Sequence, residues 1–431
     1  MGIETQVITA ALDEVVKVCE AITPLVDSSQ SYEPDPGSMQ RSSNTYWKPI
    51  EQNARVVDGT DLTGVDPDGM LELSISGDVG DYSNIWRTID SKQMRDERTL
   101  RRSMAAGARA LIEDMERKGL QKAATHGAFC TAFSGAPGPG VTQTKVWTAL
   151  AESEARMFDA QMATSSGTSS FLNAQTWTGG GEFLTNSSAN FANSIPDEAY
   201  RQGEIQRQIA GIGQVNRHNK LINIEAAAGS CTVTSNLSFR PLATEPAPNG
   251  SELSVDHRFA TIPVSDTTDV KVGDKFTFPG VKALNMGNDK QVLDYDQTFT
   301  VAQVKDGTNL VISPKPIWVD DPNLVGVEKA YANIASEVTS GTALNFLNTN
   351  TTRSNVIMAN DALVLASQPI TVGNDIFQGL DAEPFEAGPI RGMLGFESNL
   401  VTGFTGRYRM AIWYDWEVEK PEAIGTILFN Q

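Results

Sequence analysis

Residues 91 to 126 read SKQMRDERTLRRSMAAGARALIEDMERKGLQKAATH, with Leu100, Met104, Ala108, Leu111 and Met115 recurring every three or four positions and no proline among them. That period predicts a helix with one apolar stripe. At 1.5 Å per residue the rod is about 50 Å long, enough to act as the spine of a large domain. Its other faces carry nine Lys or Arg (Lys92, Arg95, Arg98, Arg101, Arg102, Arg109, Arg117, Lys118, Lys122) against five acids (Asp96, Glu97, Glu113, Asp114, Glu116). The interleaved acids favour a solvated or interface face with ion-pair partners over a nucleic-acid contact. Arg101, Arg102 and Arg109 are the interface candidates on this helix.

Upstream of the spine, Trp47 to Ile89 alternates strand-like runs (LELSIS, IWRTI) with Asp and Gly clusters, a pattern that suits a long polar β-hairpin. Such a hairpin has no core of its own, so it folds back on the body or lies across a partner. Before it, residues 5 to 26 place Ile8, Leu12, Val15, Val16, Cys19 and Ile22 at helical spacing. This amphipathic helix ends near Pro24, and SSQSYEPDPGS links it to the body. It is either a packed surface helix or an arm reaching a neighbour.

Downstream, GAPGPG (135 to 140) reads as a loop, and the polar, glycine-rich segment 165 to 194 reads as a surface excursion. After Ala226 the character changes. Runs such as RFATIPVS, KFTFPGV, TFTVAQV and NLVIS are separated by turn signals, notably Asp306-Gly307, and predict a small all-β barrel or sandwich inserted between α/β flanks. The chain ends in strand-like RYRMAIWYDWEV and AIGTILF.

With 431 residues, 40% of them apolar, the chain can bury a sizeable core divided over two or three domains. Its 53 acids against 34 bases give a net charge of −19, which argues against a protein that grips phosphates by counterion release. The same charge suits the wall of a container for DNA, because an adhesive lining would stall the polymer, and it equally suits a cytosolic enzyme. No run approaches the roughly 20 apolar residues of a membrane span. The opening MGIETQVITAALDE carries acids where a signal peptide carries lysines, so a cytoplasmic place of synthesis is expected. Cys19, Cys130 and Cys231 are too few and too scattered for a metal site or a disulfide framework and read as small buried hydrophobes. His126, His218 and His257 have no metal-ligand spacing, and no nucleophile elbow, zincin or Walker pattern occurs. Gly211-Ile-Gly213 lacks the third glycine of a dinucleotide loop and reads as a turn. No catalytic residue, cofactor or metal is expected.

Several long strings carry a specific resemblance, in order along nearly the whole chain: SMQRSSNTYWKPIEQ (38 to 52), EAYRQGEIQRQIAG (198 to 211), HRFATIPVS (257 to 265), GDKFTFPGVK (273 to 282), KDGTNLVISPKP (305 to 316), AYANI (330 to 334) and RMAIWYDWEVEKPEAIG (409 to 425). They resemble the coat protein of the short-tailed Salmonella phages, whose α+β architecture is the tailed-phage capsid (Johnson) fold with an inserted all-β barrel. The resemblance implies a non-enzymatic shell protein forming pentamers and hexamers of itself around double-stranded DNA, without specific DNA binding and with no membrane. It further implies an internal scaffolding protein, a portal protein at one vertex, assembly in the bacterial host cytoplasm and a final place in the virion capsid. Mapped onto the pattern above, the parts are an N-terminal arm (1–36), a peripheral domain (37–47 and 90–130) with its spine helix 91–126, and an extended β-hairpin loop (48–89). An axial domain with a surface loop (131–225 and 333–400), the inserted barrel (226–332) and C-terminal strands returning to the peripheral domain (401–431) complete the set.

In that family the arm presents acids to a basic scaffold. Glu4, Asp13 and Glu14 match such positions, while Lys17 stands where a further acid is expected. The inserted domain sends an acidic loop across the two-fold axis, and the matching stretch ATEPAPNGSELSVDH keeps Glu245, Glu252 and Asp256 as inter-subunit candidates. Two other classes compete with the coat reading. A cellular nanocompartment (encapsulin-like) shell shares the fold but generally lacks the large insert, and a hydrolase or sugar-binding protein would need a Trp/Tyr/acid cluster near the β-domain, where Trp318 is the only tryptophan.

Overall fold

The computed structural model describes residues 13, 15–17, 24–35, 44–51, 69–80, 82–90, 96–138, 142–162, 167–186, 204–205, 211–287, 289–368, 381–399 and 405–431. The chain divides into two compact units, one built from Met1–Lys48, Ser76–Gly119 and Val364–Glu417, the other from Pro49–Ile75, Leu120–Leu363 and Val418–Gln431.

The long helix, α1, spans Glu97–His126 and contributes residues to both units. It starts at Glu97 because Asp96 caps it. The Asp96 carboxylate accepts the Arg98 N–H at 3.1 Å and the Thr99 hydroxyl at 2.6 Å, satisfying donors that a helix start leaves open. The bond from Thr99 is the main cause holding this carboxyl below the usual range.

In the first unit, a four-stranded antiparallel sheet runs in the order Asp381–Ala387, Ile390–Asn399, Thr405–Trp413, Tyr82–Asp90. Alternation decides its faces. Leu394, Tyr408, Met410 and Ile412 are buried, whereas Arg407 and Arg409 point to solvent. Gly107 of α1 lies over the buried face, where an added Cβ would stand 3.5 Å from Ile85. Ser83 donates to Asp114 of α1 at 2.8 Å and sits 3.0 Å from the Tyr414 hydroxyl. Farther along α1, the Trp416 indole donates to the Met115 carbonyl at 3.0 Å. Gly119 makes room for that ring, since a Cβ there would fall 2.8 Å from it. Tyr82–Asp90 therefore belongs to this sheet and not to the extended hairpin expected over 48–89. Of that hairpin, Thr45–Pro49 and Ser74–Asp78 pair as a two-stranded ribbon, and 52–68 lie outside the described residues.

In the second unit, a six-stranded sheet has the order Phe129–Phe133, Ile424–Phe429, Asn355–Ala359, Thr168–Leu172, Gln214–Arg217, Glu204–Ile205. The last long strand of the chain thus serves this sheet rather than the unit holding Thr405–Trp413. It pairs in parallel with Phe129–Phe133 through Gly425, where a Cβ would lie 1.6 Å from the Phe129 carbonyl oxygen. The surface excursion expected at 165–194 gives way to regular secondary structure over 167–186, while 165–166 and 187–194 lie outside the described residues. Thr168–Leu172 is a fully buried central strand, followed by helix α3 (Ala174–Asn186), with α2 (Val146–Asp159) preceding it. Its hydroxyls made it look solvated, yet inside the sheet they find acceptors: Ser169 donates to the Asn360 side chain at 2.7 Å and Ser170 to the Val356 carbonyl at 3.2 Å. Hydrogen-bonded serines are cheap to bury.

The same unit holds a five-stranded antiparallel sheet ordered Ala260–Pro263, Asn309–Ser313, Val292–Asp306, Lys275–Leu284, Asn345–Phe346. Asp306-Gly307 forms the expected turn, and the Asp306 carboxylate accepts the Thr308 N–H at 2.8 Å. Phe276, Phe278 and Phe299 form the centre, with ring centroids 5.2 to 5.7 Å apart, inside a shell of Ile262, Val301, Leu310 and Ile312.

Candidate assembly surfaces

Among the described residues no group of three or more His, Cys, Asp or Glu gathers to hold a metal. Each histidine is explained by its packing. Desolvation pushes His126 down to about 3 and His257 down to about 4, and His257 Nδ1 lies 3.3 Å from the Ser74 carbonyl. His218 accepts the Lys220 N–H at 3.1 Å and meets Phe171 edge-on. Cys130 and Cys231 are buried free thiols, both pushed up to about 11 by desolvation, so neither is poised as a nucleophile at neutral pH. Cys19 lies outside the described residues.

Three surfaces carry exposed charge in patterns that suit contacts between copies. The first is on α1. Helical spacing brings Arg98, Arg101, Arg102 and Arg109 to one exposed side, where they rim a cleft of about 480 Å³ floored by Ala105 and Ala106. Ala105 and Ala106 place only methyl groups between the arginines. The interface candidates Arg101, Arg102 and Arg109 are therefore brought together, and Arg98 joins them.

The second is the hairpin Thr244–Pro246 and Glu252–Ser254, every residue of which is exposed. A two-stranded ribbon without a covered face has little stability of its own. Glu245 pairs opposite Leu253 in the ladder, and the Leu253 side chain is 54% exposed. Glu245 and Glu252 are thus exposed, but Asp256 is not. Its carboxylate is engaged with Arg258 at 2.9 and 2.5 Å, and both side chains are at least nine-tenths buried. The Arg258 guanidinium also donates to the Val418 carbonyl at 2.6 Å. Asp256 is a buried internal partner, which the two-residue spacing of an Asp-His-Arg tripeptide does not reveal by itself.

The third is the amino-terminal segment, where Asp13 and Lys17 are exposed in helical backbone and Val15 is buried. Glu4 and Glu14 lie outside the described residues. Sequence reasoning missed one further exposed feature. Trp86 is 69% exposed on Tyr82–Asp90, with the Arg407 guanidinium 5.4 Å from its ring centre and Arg409 bonded to Asn84 at 2.8 Å beside it. The alternation NIWRTID carries that signal, because a strand with Ile85 and Ile89 facing inward must turn Trp86 outward.

A family model described as "P22 coat protein - gene protein 5" matches residues 2–430. Among solved structures, the capsid of cyanophage P-SCSP1u is similar at 10% identity, covering 93% of this chain and 86% of that one with a TM-score of 0.45. A virus-like particle from Pyrococcus furiosus is similar at 6% identity, with coverages of 97% and 98% and a TM-score of 0.40. A chain of Mycobacterium phage Che8 is similar at 9% identity, with coverages of 92% and 91% and a TM-score of 0.37.

Proposed function

The chain belongs to the P22 coat protein family and is a phage major capsid protein, and from that premise we propose how it assembles. Copies associate as pentamers and hexamers on an icosahedral lattice, directed by an internal scaffolding protein, with a portal protein at one vertex and double-stranded DNA packed afterwards. The single observation behind this reading is the family match over residues 2–430. It favours the phage shell over a nanocompartment shell. The chain is a structural component of the virion capsid, built from many copies of itself.

The surfaces take roles within that scheme. The Arg98, Arg101, Arg102 and Arg109 side of α1 meets acidic segments of a neighbouring copy, and the Glu245 and Glu252 hairpin reaches across to another. Asp13, with Glu4 and Glu14, docks a basic scaffold helix. The five-stranded sheet is the central part of an inserted β-barrel over about 226–332, to which Asn345–Phe346 adds an edge. The net charge of −19 keeps the wall from adhering to packed phosphates.

The direct test mixes the monomer with a basic scaffolding protein and follows light scattering at increasing salt. Screening over about 8 to 10 Å at physiological ionic strength should slow the reaction steeply if carboxylates steer docking. Assembly that proceeds at one rate with or without the scaffold, at every salt concentration, contradicts the proposed route.

A further inference from the structure

The second unit contains a cleft of about 540 Å³ whose wall includes His257, Arg258, Lys315, Asn333, Lys420 and Glu422. Nearly all of its buried charge is already balanced. Arg258 is held by Asp256 and the Val418 carbonyl. Lys420 donates to Asp361 at 2.5 Å. Glu422 receives the Asn333 amide at 3.3 Å, and Lys290, whose ammonium donates to the Ala332 carbonyl at 3.1 Å, faces it electrostatically. His257 is desolvated and uncharged at neutral pH, with one ring nitrogen against the Ser74 carbonyl.

Lys315 differs from these. The residue is 93% buried, and among the described residues its ammonium makes no hydrogen bond, although its own backbone carbonyl accepts from Asn333 at 2.9 Å. Desolvation pushes its pKa below the ordinary lysine value, opposed by the charges of Glu245 and Asp256 from beyond bonding distance. A largely buried lysine whose ammonium makes no protein hydrogen bond and opens into a cleft large enough for an amino-acid side chain has donors free for an anion.

We propose that this cleft is a carboxylate-binding site anchored by Lys315. The charge balance selects the ligand class. One unpaired ammonium matches one negative charge, and because Arg258 and Lys420 in the same wall are already engaged with Asp256 and Asp361, a multiply charged anion such as a phosphate dianion finds no second free cation there. Glu51, exposed on the wall, adds a repulsive charge near the mouth. Two sources present this chemistry: a free monocarboxylate, or an Asp or Glu side chain inserted by a second copy of the chain.

The test is calorimetric titration of the full-length dispersed protein with N-acetylglutamic acid α-amide at matched ionic strength, with the corresponding glutamine compound as the neutral control. The expected result is one saturable site, with the glutamine compound bound at least tenfold more weakly. Lys315→Met should weaken binding at least tenfold, and Lys305→Met, at an exposed lysine, should leave it unchanged. Because Lys315→Met alters a buried position, Glu51→Lys gives a second reading on a surface residue and should strengthen binding two- to threefold. Repeating the titration on assembled shells separates the sources: loss of the site assigns it to a neighbour's acidic side chain, and retention assigns it to a free carboxylate. Absence of saturable binding to the wild-type protein, equal binding of the two compounds, or indifference to Glu51→Lys overturns the proposal.

Discussion

Lys275→Met should destabilise the second unit more at pH 9 than at pH 7, and the size of that difference follows from the structure. Lys275 is fully buried at the end of α1. Its ammonium donates to the Thr125 carbonyl at 3.1 Å, to the Thr300 hydroxyl at 3.0 Å and to the Gly127 carbonyl, satisfying acceptors that a helix C-terminus leaves open. Desolvation pushes its pKa from 10.5 down to about 7. The folded value lies below the unfolded one, so between about pH 7 and 10.5 the unfolded chain binds more protons and wild-type stability rises with pH. At pH 7 the folded site is half protonated, and at pH 9 it is neutral. Integrated over that interval, the gain is about 2 kcal/mol. Methionine removes the titration, so the mutant lacks this gain. At pH 7 the variant loses about 1–3 kcal/mol, because the abandoned carbonyls outweigh the relieved desolvation. The deficit should then widen by about 2 kcal/mol at pH 9. His126 is neutral throughout this window, and Cys130 affects both proteins alike. Urea unfolding followed by hydrogen exchange in residues 120–133 and 275–313 measures the deficit at each pH. Equal deficits at both pH values would refute the depressed ammonium.

Three further outcomes follow from neighbouring features. Asp256→Asn strips a buried guanidinium of its carboxylate and should cost about 3–5 kcal/mol in urea unfolding, whereas Glu245→Gln and Glu252→Gln on the exposed hairpin should stay within about 0.5 kcal/mol; equal costs would place Asp256 on the hairpin surface after all. Gly425→Ala drives a methyl group into the Phe129 carbonyl, so the variant should be recovered only as insoluble chain, and a soluble variant with an unchanged melting temperature would disprove the close parallel pairing. Arg102→Ala with Arg109→Ala, both exposed, should leave the monomer's melting temperature nearly unchanged yet lower the yield of closed shells; a loss of several degrees in the monomer would assign the arginines to folding instead.

Much of the fold was legible because periodicity reports which face is buried. The α1 stripe from Leu100 to Met115, the Asp306-Gly307 hairpin and the closing strands each follow from spacing alone. Two of the misreadings share a cause in side-chain hydrogen bonding, which pattern does not record. Thr168–Leu172 looks polar, yet Asn360 and the Val356 carbonyl accept its hydroxyls in the centre of a sheet. Asp256 looks like a loop acid, yet it neutralises Arg258 two residues on. Nothing in the sequence separates Lys275 or Lys315 from a surface lysine, and only tertiary structure puts one against a helix end and the other in a cleft. Of the candidate assembly surfaces, the arginine side of α1 could be read from helical spacing. The exposure of the Glu245 hairpin rests on the absence of any packed face, which sequence suggests only through its prolines and glycine.

Electron microscopy of particles purified after the chain is expressed together with a scaffolding protein tests the shell-forming role most directly. Closed shells of uniform curvature, with pentamers at the vertices and hexamers between them, are the expected result, and boiling them in detergent without reductant should give one monomer band, since Cys130 and Cys231 are buried and unpaired. Discrete small oligomers that never curve into a closed surface would contradict it.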